Sequence, residues 1–245
     1  MAGQGEAENA LPPHSRHVII RKGESMETAQ DYSKKLEGIR DILLPIWPDA
    51  QPLLTYSNCF ELLCSVILSA QCTDEQVNAV TPKLFAAYPN AEKMALASPE
   101  HVENIIHSVG FYHTKARHII ASSRIIAETY GGRVPQDFEK LLTLPGVGRK
   151  TANLVASACF GTPSVIVDTH VLRVAVRLGL HETRDPHAIE MMIRGAIEDK
   201  DLTAFSHALN RHGKYVCKAR DPQCLGQDAP CPLEKICPKF GLDRP

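Results

Sequence analysis

No apolar run in this chain reaches the roughly 20 residues a membrane-spanning helix needs, which excludes an integral helical membrane protein; no membrane partner is expected. The chain also lacks a surplus of charge: 27 Lys and Arg stand against 28 Asp and Glu, leaving −1 at pH 7 and a pI near 6.8. A global cationic field is therefore missing, so any face for nucleic acid has to be a local patch. The N-terminal stretch has no signal-peptide apolar core and carries Glu6 and Glu8, unlike acid-poor transit peptides. An intracellular location, in cytoplasm or nucleoid, is the expectation, with residues 1–25 as a flexible polar tail. Strand alternation is missing as well; Val165-Ile166-Val167 is too short for more than an extended connector. Among the cysteines there is no closely spaced C-x2-C pair, the usual mark of zinc.

What is present suits a globular fold. With 245 residues, 44% of them hydrophobic and 22% charged, the chain can bury a core in one large domain or two ordinary ones. The pattern predicts helices throughout. They cover Glu27 to about Ile46, Cys59–Ala70 (apolar on nearly every side, hence central), Asp74–Ala87, Pro99–His107 and Thr114–Tyr130. Further on come Phe138–Leu142, Gly148–Ala158, Asp168–Leu178, Pro186–Glu198 and Leu202 to about Tyr215. The 160–164 stretch, Phe-Gly-Thr-Pro-Ser, reads as a boundary between two helical lobes.

Leu144-Pro145-Gly146-Val147-Gly148-Arg149-Lys150-Thr151-Ala152 is the most informative stretch. Gly146 and Gly148 allow a tight turn between a short helix and a longer one. They also bare backbone N–H groups at a helix start, where partial positive charge suits a phosphate oxygen. A bare G-x-G between helices is more often a simple connection than a ligand site, but the whole string is the helix–hairpin–helix pattern of DNA-binding proteins. Lys150 falls in the first turn of the second helix, where a lysine opposes the helix dipole. It reads either as a solvated lysine or as an amine nucleophile; like charge at Arg149 and partial desolvation would favour the neutral, nucleophilic amine.

Asp168, in Val167-Asp168-Thr169-His170, reads first as the N-cap of the next helix. A second role is geometrically open. The helix from Gly148 runs on the order of 15 Å. A turn at Gly161–Ser164 followed by three extended residues returns roughly 10 Å. That would bring a carboxylate back toward Lys150, where it could stabilise positive charge and help move protons.

Four of the eight cysteines, Cys217, Cys224, Cys231 and Cys237, crowd the last 29 residues. Their spacing, C-x6-C-x6-C-x5-C, favours a [4Fe–4S] cluster, whose iron corners lie apart, over zinc, free thiols or a disulfide. The other four, Cys59, Cys64, Cys72 and Cys159, are scattered through apolar helical segments, and few disulfides are expected inside a cell. Lys218 and Arg220, with Arg211 and Lys214 before them, read either as a solvated face or as a basic loop shaped for phosphate.

Together these residues resemble the endonuclease III family of helix–hairpin–helix proteins over about residues 27–240. The likeness rests on Leu-Ser-Ala-Gln-x-Thr-Asp at 68–74, Gly-x-Tyr-x-x-Lys-Ala at 110–116, the hairpin, Val-Asp-Thr-His at 167–170 and the cysteine cluster. The resemblance implies an all-α, two-domain fold. A six-helix barrel at 52–162 would pack against a discontinuous [4Fe–4S] domain made of 26–51 and 163–245. It implies a bifunctional glycosylase and abasic-site lyase acting on double-stranded DNA with damaged bases, chiefly oxidised pyrimidines, or abasic sites; a monomer is the default expectation. Lys150 would be the Schiff-base lysine and Asp168 its partner. Gln71 would fill the gap left by a flipped nucleotide, and Phe111 would act as a wedge where the family usually has a smaller apolar residue. Gly146, Gly148, Arg149, Lys218 and Arg220 would meet DNA. The family usually separates its middle two cluster cysteines by two residues; here Leu225–Pro230 makes six, a loop insertion that costs little chain entropy. A one-activity glycosylase of the same superfamily typically lacks a lysine at the hairpin, and a non-catalytic DNA-binding module or redox sensor would not need one.

Overall fold

The computed structural model describes residues 29–48, 51–180, 184–226 and 230–242, so the expected N-terminal tail lies outside the described residues. The eleven α-helices among these residues run in this order: α1 (Ala29–Ile46), α2 (Cys59–Ser69), α3 (Asp74–Ala87), α4 (Ala91–Ala95), α5 (Pro99–Ile106), α6 (Tyr112–Thr129), α7 (Phe138–Leu142), α8 (Arg149–Phe160), α9 (Thr169–Arg177), α10 (Pro186–Ala196) and α11 (Asp199–Tyr215). A 3₁₀ turn follows at Gln223–Leu225. No strand occurs among the described residues. The all-α expectation is met.

Local chemistry sets the helix ends. Asn58 accepts from the Glu61 amide and starts α2. At α3, Thr73 accepts from the Gln76 amide while the Gln76 side chain reaches back, a reciprocal cap that satisfies two otherwise unpaired donors. Pro99 and Pro186 open α5 and α10, where the missing N–H is no loss. Gly161, at φ +66, ends α8.

Two cores result. Helices α2 to α8 enclose the first, around α2, which buries every position from Phe60 to Leu68 except Glu61. Leu36, Ile39 and Leu43 of α1 join α9, α10, α11 and the C-terminal segment in the second, where Phe205 is fully buried. Each such apolar side chain contributes roughly 1.5–3 kcal/mol. Gly213 matters here, because a Cβ on it would lie 2.8 Å from His170 Cβ; its absence lets α9 and α11 close.

The extended connector between α8 and α9 joins the cores. Val165 and Val167 enter the second core, while Ile166 enters the first, following the period of two of an extended chain. No neighbouring strand satisfies its backbone. Instead Thr203 Oγ1 accepts from the Ser164 N–H at 3.0 Å, and Ser206 Oγ accepts from Ile166 N–H at 2.8 Å and donates to its carbonyl at 3.1 Å. Hydroxyls of α11 thus take the place of a sheet partner. In the first core, Cys59 and Cys159 form a disulfide between α2 and α8 with their Cα atoms 5.6 Å apart. The scattered cysteines did not announce that pairing.

Candidate active site and cysteine cavity

The hairpin consists of α7, the turn 143–148 and α8. Pro145 is held by Ser122 of α6, whose hydroxyl donates to its carbonyl at 2.7 Å. Gly146 sits at φ +81 with its α-carbon against His118, and a Cβ there would meet His118 Nδ1 at 2.9 Å. Gly148 differs: a Cβ on it would meet nothing within 4 Å. The protein itself therefore does not require glycine at 148. As N-cap of α8, Gly148 supplies no side-chain acceptor, so the first-turn amides are left uncapped.

Lys150 is exposed in that first turn. Arg149 beside it is not a free like charge. Its guanidinium makes two bonds to the buried Glu190 of α10, at 3.0 and 3.3 Å, and lies 5.2 Å over the Phe138 ring. Glu190 also pairs with Arg194, which reaches Pro163 O and Asn153. These contacts tie the start of α8 to the second core.

Asp168 ends the connector. One oxygen, Oδ1, accepts from the His170 and Val171 amides at 2.9 and 2.8 Å and caps α9. The other, Oδ2, accepts from Asn210 Nδ2 at 2.7 Å. The carboxylate is thereby fixed in direction while remaining half-exposed.

Lys150 and Asp168 line the same cleft, of about 630 Å³, together with Ala70, Gln71, Cys72 and Thr169. A smaller recess of about 90 Å³ adjoining it also has both residues in its wall, with His170, His207, Asn210 and Lys214. The return of the chain that the sequence permitted therefore takes place. Burial, reinforced by Arg211 and opposed by Asp168, pushes His207 down to about 4, so it faces the recess uncharged near neutral pH. Lys214 pairs with Asp74 at 3.5 Å across the two cores.

Gln71, in the loop between α2 and α3, is exposed at φ +56, and Phe111 is 67% exposed at φ +59 at the start of α6. Lys218 and Arg220 are exposed on the loop after Cys217. Beneath them the buried Arg177 donates to the carbonyls of Lys218, at 2.6 Å, and Ala219, at 3.2 Å. All four C-terminal cysteines line one nearly closed apolar cavity with Val174, His212 and Leu233. Burial pushes the Cys231 thiol up to about 11, and the other three cysteines add to the shift. Arg177 Nη1 donates to Cys217 Sγ at 3.2 Å. Residues 227–229, within the widened Cys224–Cys231 loop, lie outside the described residues.

Asn210, His207 and Arg177 had escaped sequence reasoning, and Lys115 stood in the 110–116 string without a role of its own. One signal was available for the first two. Thr203, Ser206, His207, Asn210 and Lys214 repeat at helical spacing and form one polar stripe on α11, facing the connector and the recess.

Comparison with known proteins agrees with this fold. Residues 64–198 match the HhH-GPD superfamily of base excision DNA repair proteins. An endonuclease III of Synechocystis sp. is 46% identical over 80% of this chain and 89% of its own length. That of Bacillus subtilis is 42% identical over 83% and 92%. A solved structure of a trapped endonuclease III–DNA covalent intermediate superposes with a TM-score of 0.80 at 39% identity, covering 87% of this chain and 97% of that one. The chain belongs to the endonuclease III family of base excision DNA repair proteins.

Proposed function

We propose that this protein is a DNA glycosylase of base excision repair that also nicks the strand, with oxidised pyrimidines as its substrate class. The observation that carries this reading is the presence of Lys150 and Asp168 in one cleft between the two cores. A damaged nucleotide would leave the stack and enter the cleft, which falls in the size range of small-ligand sites. The neutral amine of Lys150 attacks C1′, the glycosidic bond breaks and its electrons leave with the base. After the sugar ring opens, the lysine and C1′ form an imine. Loss of a proton from C2′ then expels the 3′ phosphate, and water releases the enzyme. Asp168, oriented by three N–H donors, stabilises the positive charge that develops on the sugar.

Binding would rest on the uncapped amides at Gly148, on Gly146, and on Lys218 and Arg220, with Gln71 and Phe111 entering the duplex. Arg149 would act from its ion pair with Glu190, holding the hairpin in place. Cys217, Cys224, Cys231 and Cys237 would hold a [4Fe–4S] cluster. The fit is supported by four soft donors around one nearly closed apolar cavity. Among the described residues, no three His, Cys, Asp or Glu side chains converge on a point that would suit a single metal ion. When bound, the cluster would cross-link the C-terminal segment and brace the Lys218–Arg220 loop; it is not assigned a bond-breaking step. No described helix is long and apolar enough to cross a membrane. The protein is proposed to act as a monomer.

Borohydride trapping tests the chemistry. The wild-type chain is expected to form a covalent complex with thymine-glycol or abasic DNA, and Lys150→Ala to form none. A wild type that cannot be trapped, or a Lys150→Ala variant that still can, defeats the lyase assignment.

A further inference from the structure

Lys115 is an unusual lysine. Its side chain is buried, with the residue only 4% exposed, and no carboxylate lies within ion-pair distance among the described residues. Its Nζ instead donates to Ala70 O at 2.6 Å and to Cys72 Sγ at 3.2 Å, the two residues that flank Gln71. Burying an ammonium against neutral acceptors is costly, and an apolar side chain of similar shape would serve stability as well.

The positions it joins explain the arrangement. Gln71 and Phe111 are both exposed non-glycine residues at left-handed φ, +56 and +59, a conformation that persists only where surrounding structure holds it. Lys115 lies in the first turn of α6, and its own amide donates to Phe111 O at 3.1 Å. The two corners also lie close together, since an ideal Cβ built on Gly110 would stand 3.6 Å from Cys72 Sγ. One residue is thus bonded through its backbone to the Phe111 corner and through its side chain to both neighbours of Gln71.

We infer that Lys115 is a positioning residue that locks the Gln71 loop to the Phe111 corner, so that the two side chains enter the duplex as a single rigid probe. The inference rests on the proposed function. It assigns Lys115 to extrusion of the nucleotide and not to the bond-breaking steps at Lys150. Bonds to Ala70 and Cys72 prevent Gln71 from relaxing to an ordinary φ, and the helix turn prevents the corner from moving independently.

The experiment compares Lys115→Met, Lys115→Arg and wild type, as the full chain, on two duplexes. One carries thymine glycol paired with adenine; the other carries a preformed abasic site, which needs far less unstacking. Single-turnover base release by Lys115→Met is expected to fall on the order of 10- to 100-fold, the scale of a misplaced positioning group. Nicking of abasic DNA should stay within about twofold, and Lys115→Arg should recover part of the loss. Adding Lys115→Met to Gln71→Ala should cost little beyond Gln71→Ala alone, since residues acting as one unit are non-additive. If Lys115→Met fails to fold, Lys115→Gln, which keeps one donor toward Ala70, takes its place in both comparisons. Parallel loss on the two duplexes, full activity on both, or additive loss with Gln71→Ala overturns the coupling. A wild type that acts on neither duplex overturns the proposed function itself.

Discussion

Asn210 donates its side-chain amide, at 2.7 Å, to the one Asp168 oxygen that the α9 cap leaves open. Asp168 therefore has two separable jobs, ending a connector and presenting a charge. Asp168→Asn retains a capping oxygen, and Asn and Asp cap about equally well, so stability should change by less than about 1 kcal/mol. Removing the charge should slow abasic-site nicking on the order of 10²- to 10³-fold. Asn210→Leu removes only the third donor and should cost about tenfold. Thermal melts alongside single-turnover nicking check both variants; a collapsed melting temperature with unchanged chemistry in Asp168→Asn would leave the residue as a cap alone.

The hairpin glycines should respond in opposite ways. Gly146→Ala puts a Cβ at φ +81 and 2.9 Å from His118 Nδ1, so it should destabilise the fold by about 1–3 kcal/mol. Gly148→Ala meets no protein atom and should cost less than about 1 kcal/mol as a poorer cap. Its methyl instead occupies the space a phosphate would use, so affinity for duplex DNA should drop while the melting temperature holds. Denaturant titrations and DNA-binding isotherms separate the two outcomes; unchanged DNA affinity in Gly148→Ala would count against a phosphate at that turn.

Acid should weaken the fold through His207. Its folded value, near 4, lies below the ordinary 6.5 because burial disfavours the imidazolium. The group's stabilising contribution is thus present above about pH 6.5. It is lost as pH falls toward 4, because only the unfolded chain takes up the proton in that window. By pH 5 the loss amounts to roughly 2 kcal/mol. Unfolding free energies of wild type and His207→Gln at pH 7 and pH 5 test this; a slope unchanged by the substitution would assign the acid sensitivity elsewhere.

The reach of sequence reasoning followed the range of the interactions. The limits of α3 were legible to the residue because Thr73 and Gln76 mark its start locally. Helix α4, only five residues long, offered too few positions for a period and went unnoticed. At the site, Lys150 and Asp168 stood in recognisable strings, but their partners did not. Asn210 is 42 residues from Asp168, and Glu190 is 41 from Arg149. Nothing local distinguishes an asparagine that fixes a carboxylate from one that faces water. Arg149 shows the same limit from the other side. It read as a spare cation beside the lysine until the fold delivered Glu190 to it.

The connector at residues 164–168 has a mechanical consequence. Its side chains are threaded alternately into both cores, and its backbone is bolted to α11 by hydroxyl groups. Any swing of one lobe about this seam would have to unseat Val165 or Ile166 from a packed interior. The cleft is therefore built as a fixed-gauge jaw at this seam and not as a clamp. Under the proposed function, a duplex gripped there would have to supply the bending itself, so its stiffness would become part of what is recognised.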